Sequence, residues 1–116
     1  MSSSEIGEFL PLTDLAFHTL LALGRDPAHG YAIGKEIEAR TGGRLKPTTG
    51  GLYQALKRLR DHGLVERAPT MEEEASDSRR NYFRLTALGR RVLTAEARRL
   101  DELVARAREL GFFAES

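Results

Sequence analysis

Cysteine is absent from the 116 residues, which excludes a disulfide framework, thiolate zinc sites and a cysteine nucleophile. No apolar run is long enough for a membrane span or for the core of a signal peptide, so a cytoplasmic location without membrane contact is expected. No segment repeats. The three histidines, His18, His29 and His62, fall on separate predicted elements. Asp14 and His18 share an i,i+4 face but have no third ligand beside them, so no metal is expected, and no cofactor is implied. Gly50-Gly51 lacks the Lys-Ser/Thr that completes a phosphate-binding P-loop, and no acyl-transfer triad finds support. Catalysis is not expected.

Net charge is nearly absent too, with 18 Lys+Arg against 17 Asp+Glu, or +1. The charges are nevertheless segregated. Residues 44–67 hold six basic and two acidic side chains (net +4), residues 68–78 hold four acidic ones (net −4), and residues 79–91 hold five arginines and no acid (net +5). Two basic blocks therefore bracket an acidic one. A chain of this length is one small domain burying roughly 65% of its unfolded surface, a core that a partner chain would help.

The stretch around which the rest is arranged is LKPTTGGLYQALKRLRDHGLVE, from Leu45 to Glu66. Thr48 or Thr49 can cap a helix start and Gly63 can end it, which predicts a helix of about four turns. Leu52, Ala55, Leu56 and Leu59 recur at spacings of three and four and form one apolar stripe. Gly50, Gln54, Lys57 and Asp61 point the other way, flanked by Tyr53, Arg58 and Arg60. Such a helix suits a DNA major groove. Its glycines let backbone approach phosphate, its N-terminal N–H groups favour an anion, Gln54 can pair with an adenine edge, and Lys57 can meet guanine or phosphate. Lysine and arginine opposite a leucine stripe are equally the ordinary solvated face of a core helix.

Upstream, residues 1–8 are polar and serine-rich, and residues 1–10 are expected to be flexible. Thr13 caps a first helix with Leu15, Ala16, Leu20 and Leu23 on one face, stopped by Gly24. Asp26-Pro27 suggests a second helix with Asp as cap and Pro at its first position, running to Thr41. Ile33 and Ile37 face the core, and Gly34 hints at a close neighbour. Leu45 is placed to plug the gap before the third helix.

After Gly63, LVERA reads as a short strand ended by Pro69, residues 70–80 as a polar loop, and NYFRLT as an alternating strand. Two antiparallel strands joined by a long loop make a wing. Thr86 then caps a helix from Ala87 to about Leu110. Leu93, Ala97, Leu100, Val104, Ala107 and Leu110 lie close to an a/d seam, with Leu88, Val92 and Leu103 beside it. A helix of about 36 Å cannot cover that seam within so small a domain, so a second copy is its expected cover. The fold class is α+β and mainly helical. Residues 1–86 read as a winged helix-turn-helix domain and residues 87–116 as a C-terminal dimerisation helix.

Three segments, HGYAIGKEI (29–37), TTGGLYQALKRLRDHGLV (48–65) and NYFRLTALGRRVL (81–93), together resemble the PadR family of winged-helix transcriptional regulators over about Leu12 to Leu110. The single C-terminal helix resembles the family's short-tailed branch, whose members dimerise through that helix. This chain departs from the family pattern. Gly51, Gln54 and Arg60 stand where the family usually has threonine, proline and an acid, which loosens the helix start and leaves base preference open. The wing carries Ser76-Asp77-Ser78-Arg79-Arg80 behind an acidic Glu72–Glu74 in place of the usual Gly-Arg-Pro stretch, so wing phosphate contacts are expected on Arg79 and Arg80 only.

The resemblance implies a sequence-specific DNA-binding regulator, in the first instance a repressor, acting as a homodimer on an inverted repeat of double-stranded DNA. The residues expected at DNA are Thr48, Thr49, Gly50, Tyr53, Gln54, Lys57, Arg58, Arg79 and Arg80. His29 and Tyr31 match the family's HGY motif, and packing between the second and third helices is their expected role. Release by a small aromatic or amphipathic effector near the dimer interface is a family habit. The alternative is a winged-helix module that binds protein without specific DNA binding, for which the acidic wing tip speaks.

Overall fold

The computed structural model describes residues 3–69 and 81–113. In chain order they form helix α1 (Ser3–Gly7), helix α2 (Asp14–Ala22), strand β1 (Ala28–His29), helix α3 (Gly30–Arg40), helix α4 (Thr49–Asp61), strands β2 (Val65–Ala68) and β3 (Tyr82–Leu85), and helix α5 (Ala87–Glu109). The expected trio of helices (α2, α3 and α4), the two wing strands and the long last helix are there, with two additions, while the polar loop of residues 70–80 lies outside the described residues.

The first addition is α1. Where the sequence suggests a frayed lead-in, Ser3–Gly7 are helical, and Ile6, Phe9 and Leu10 pack against the core. Three apolar side chains within five residues give the segment something to bury, which its serine-rich start conceals.

The second is β1, which also corrects the start of α3. Asp26 and Pro27 do not open the helix, because Ala28 and His29 are extended and pair antiparallel with Phe83 and Tyr82. His29 then caps instead, its Nδ1 accepting from the Ala32 amide at 3.2 Å. The sheet order is β1-β3-β2, with β2 and β3 in register from Val65 opposite Leu85 to Ala68 opposite Tyr82. The expected two-stranded wing is thus a three-stranded sheet with β3 at its centre. Leaving β3 unpaired on one side would expose its backbone donors and acceptors, and the two-residue β1 satisfies part of that edge.

The remaining caps fall as the sequence indicates. The Thr13, Thr48 and Thr86 hydroxyls accept from the Ala16, Gly51 and Gly89 amides at 3.1, 2.9 and 2.9 Å. Thr48, not Thr49, therefore caps α4, and Gly50 and Gly51 do not delay the helix. Gly63, at φ +79°, ends it and lets the Leu64 amide return to the Leu59 carbonyl at 2.9 Å. Thr41 Oγ1 holds the Leu45 amide at 3.0 Å, and Leu45 packs half-buried against the core.

The core gathers Leu20 of α2 and Leu23 at its end, Ile33 and Ile37 of α3, Leu52, Leu56 and Leu59 of α4, Leu64, Val65, Phe83 and Leu85 around the sheet, and Val92 of α5. A Cβ added at Gly34 would touch Leu52 at 3.5 Å, the close neighbour that its position suggests. The first turn of α5 presses on the link between α4 and β2 more tightly still: a Cβ at Gly89 would lie 2.0 Å from the Leu64 carbonyl oxygen. No helix among the described residues is long and apolar enough to cross a membrane.

One charged residue joins this core. Glu96 of α5 is 1% exposed. Its Oε2 accepts from the Leu12 backbone amide at 2.8 Å, and the Arg99 guanidinium donates to both carboxylate oxygens at 2.6 and 3.1 Å. The Arg99 hydrogen bond first, and the Leu12 amide after it, hold this carboxyl below its ordinary value despite burial. A junction between α1 and α2 is thereby fastened to a helix 84 residues further on.

Candidate nucleic-acid interface

Burying Leu52, Leu56 and Leu59 fixes the rotation of α4, and the opposite side chains follow. Thr48, Thr49, Gly50, Gln54, Lys57 and Arg58 are all exposed. Arg79 and Arg80, the expected wing contacts, and the acidic Glu72–Glu74 lie outside the described residues. Ala55, read as part of the apolar stripe, is only half-buried at its edge.

The two flanks of α4 differ. On one, Tyr53 leans over α3: a Cβ added at Gly30 would meet its hydroxyl at 2.5 Å, so glycine there is what lets the ring lie down. On the other, Arg58 borders a hollow of about 500 Å³ lined by Phe9, Leu12, Ala16 and His62. His62, expected near the end of this helix, caps it with its backbone and meets the Phe9 ring edge-on at 6.0 Å.

The HGY segment divides its work residue by residue. His29 caps α3 and sets its ring edge-on against Tyr82 of β3 at 5.2 Å, tying α3 to the sheet. Gly30 makes the contact with α4. Tyr31, expected to pack between the helices, is instead 71% exposed, near-parallel to the His29 ring at 6.4 Å and with Lys35 Nζ 5.6 Å from its centre. That is a correction, and its cause is that Gly30 and Tyr53 already fill the contact.

Electrostatically the face is less positive than its residue count. Lys57 pairs with Asp61 at 2.9 Å, an i,i+4 partnership visible in the sequence, and this hydrogen bond holds the Asp61 carboxyl below its ordinary 3.8. Across the sheet, Arg84 pairs with Glu66 at 2.8 Å, and Arg67 donates to the Asn81 side chain. Arg58 and Arg60 have no such carboxylate among the described residues. The surface therefore offers hydroxyl donors and an amide at the start of α4, and cations further along it. No three His, Asp or Glu side chains gather as metal ligands among the described residues. His18 meets Asp14 at 3.7 Å, and Arg44 takes the same carboxylate at 3.1 Å.

A family model for transcriptional regulators of the PadR-like family matches residues 19–95, which hold α3, α4, the sheet and the first half of α5. The chain belongs to the PadR-like family of transcriptional regulators. These are regulators, not enzymes.

A 37.1 kDa uncharacterized protein in transposon TN4556 of Streptomyces fradiae is 41% identical over 93 residues, covering 80% of this chain and 25% of that protein. The chain thus spans about a quarter of the length of this curated relative. Among solved structures, a PadR family transcription regulator from Clostridium difficile superposes with a TM-score of 0.68 at 21% identity, covering 84% of this chain and 98% of the other. Bacillus subtilis PadR, solved in complex with operator DNA, superposes with a TM-score of 0.61 at 22% identity over 73% and 47% of the two chains. At these identities the structural likeness is one of fold. The family assignment rests on the family match, whose span contains all three resembling segments whole.

Proposed function

We propose that this PadR-like regulator binds double-stranded DNA as a homodimer, placing α4 in the major groove of each half of an inverted repeat. The observation that carries the reading is the outward face of α4, where Thr49, Gln54 and Lys57 stand exposed while the leucines behind them are locked in the core. The Bacillus subtilis relative in complex with operator DNA supports it. Thr48, Thr49 and Gly50 would meet phosphate, Gln54 base edges, and Lys57, Arg58 and the wing residues Arg79 and Arg80 would add charge. Occupying an operator makes the chain a repressor in its simplest mode. A small aromatic or amphipathic effector belongs to the same reading, and the open hollow of about 530 Å³ between α1 and α5, floored by Ile6 and Leu10, supports a place for it.

The dimer would form along the second half of α5. Leu103, Val104 and Leu110 are 55%, 37% and 55% exposed there, and Leu93, Leu100 and Ala107 only half-buried, so the seam has apolar area left for a partner. Ala97 completes the seam as a small exposed residue that lets helices approach.

Selecting genomic fragments with the purified protein and sequencing them tests this. Recovery of an inverted repeat with half-sites about 10 bp, or a multiple of that, apart is the expected result. In titrations on the recovered site, Lys57→Ala should weaken binding and lower the salt slope by about one, whereas Gln54→Ala should mainly relax base preference. No enrichment, together with no binding at low salt, would favour a protein-interaction module instead.

A further inference from the structure

Between α3 and the N-terminal half of α4 lies a hollow of about 280 Å³, rimmed by Tyr31, Lys35 and Glu38 on one side and by Thr48, Thr49 and Tyr53 on the other. Three features of this rim need a reason. A tyrosine 71% exposed lies near-parallel to the His29 ring at 6.4 Å, with most of its side chain open to solvent. Lys35 Nζ sits 5.6 Å from the centre of the Tyr31 ring and has no carboxylate partner among the described residues. Glu38, the acid on the rim, is drawn 3.7 Å from Lys46 on the α3–α4 link, which offsets its charge. Hydroxyl donors and one uncompensated ammonium therefore surround a space with room for a tetrahedral oxyanion.

Resting on the DNA-binding reading above, we propose that Tyr31 and Lys35, with Thr49 across the hollow, hold one backbone phosphate of the DNA strand that borders the groove entered by α4. Thr49 and Tyr53 belong both to this hollow and to the outward side of α4, so an anion in the hollow lies on the path of a strand flanking that helix. The first helix of a helix-turn-helix crosses the backbone in the same way, and α3 is that helix here. Tyr31 and Thr49 hydroxyls donate to phosphate oxygens while Lys35 supplies charge, a contact that fixes register without reading sequence. This gives the exposed tyrosine of the HGY segment a task that packing does not.

The test uses the full chain and a random-sequence duplex of about 30 bp, titrated by fluorescence anisotropy over a salt series, since a phosphate contact is independent of sequence. Lys35→Gln should lower the slope of log K against log salt by about one, and Lys35→Arg should restore it. Tyr31→Phe should weaken binding about fivefold to tenfold at every salt concentration with the slope unchanged, the mark of a neutral donor. Arg106→Gln, the same loss of charge on the projecting half of α5, should leave the slope alone. A slope unmoved by Lys35→Gln in a protein that otherwise binds, with Lys57→Ala still lowering it, overturns the clamp and leaves the groove assignment standing. Absence of binding by the unaltered chain overturns both.

Discussion

The two halves of α5 carry similar residues and meet opposite fates. In the first half Gly89, Val92 and Glu96 are buried, and the helix is as much a part of the core as α4. In the second, Leu103, Val104 and Leu110 stand in water, followed by Phe112 at 78% and Phe113 at 44% exposure. Helical spacing marks the apolar positions of both halves equally well. What it cannot say is which of them the chain covers with its own residues, because that depends on how far the rest of the domain reaches along the helix. The buried stripe and the expected seam are neighbours, not the same line: Val92 goes into the core, while Leu93 and Leu100 remain half-exposed beside it.

Breaking the first half should have the largest effect. Gly89→Ala places a methyl group against the Leu64 carbonyl, and backbone on both sides leaves nothing flexible to yield. A loss of about 3 kcal/mol in unfolding free energy is expected, the upper end of overpacking costs, measured by urea denaturation. A variant as stable as the unaltered protein would mean that the backbone contact between Gly89 and Leu64 yields readily.

The second half should respond differently. Replacing Val104 and Leu110 by Lys removes two exposed apolar side chains, so the fold of each chain should change in stability by no more than about 0.5 kcal/mol. Association should weaken by about 100-fold or more, because two charges would have to be buried against a partner. Sedimentation velocity would show a monomer, and specific DNA binding should fail before non-specific binding does. If the unaltered protein is itself a monomer at micromolar concentration, the proposed dimer is wrong.

How much of this was legible in the chain follows the range of each interaction. Caps such as Thr48 and Thr86, the stop at Gly63 and the Leu52-Leu56-Leu59 stripe are settled within a few residues and could be read directly. The exposure of Gln54 and Lys57 on the outward face of α4 was legible for the same reason. β1 was not, since two residues with no strand signal become a strand only because Phe83 and Tyr82 lie alongside. The start of α3 went with it, as the local Asp26-Pro27 signal lost to that pairing. The exposure of Tyr31 depended on Gly30 and Tyr53 having met first, a tertiary fact hidden behind a motif that looks like packing.

The smallest contrast on α5 is between two arginine–glutamate pairs of identical spacing. Arg99 and Glu96 are 2.6 Å apart with the glutamate buried, while Arg106 and Glu109 are 3.2 Å apart with both exposed. Glu109→Gln should alter stability by less than about 0.5 kcal/mol, since solvent already screens that pair. Glu96→Gln keeps an oxygen for the Leu12 amide but gives up the charged acceptor that Arg99 needs, a cost of about 1–2 kcal/mol near neutral pH. The two also part company with acid. Folding holds the Glu96 carboxyl below its ordinary 4.5, so its contribution is complete above that value and disappears as pH falls through the lowered folded-state value. The unaltered protein should therefore lose its advantage over Glu96→Gln as the solution is acidified below about pH 4.5, in urea melts run at a series of pH values. A gap between the two that stayed constant into strong acid would show that the buried carboxylate is held by shape alone and not by its charge.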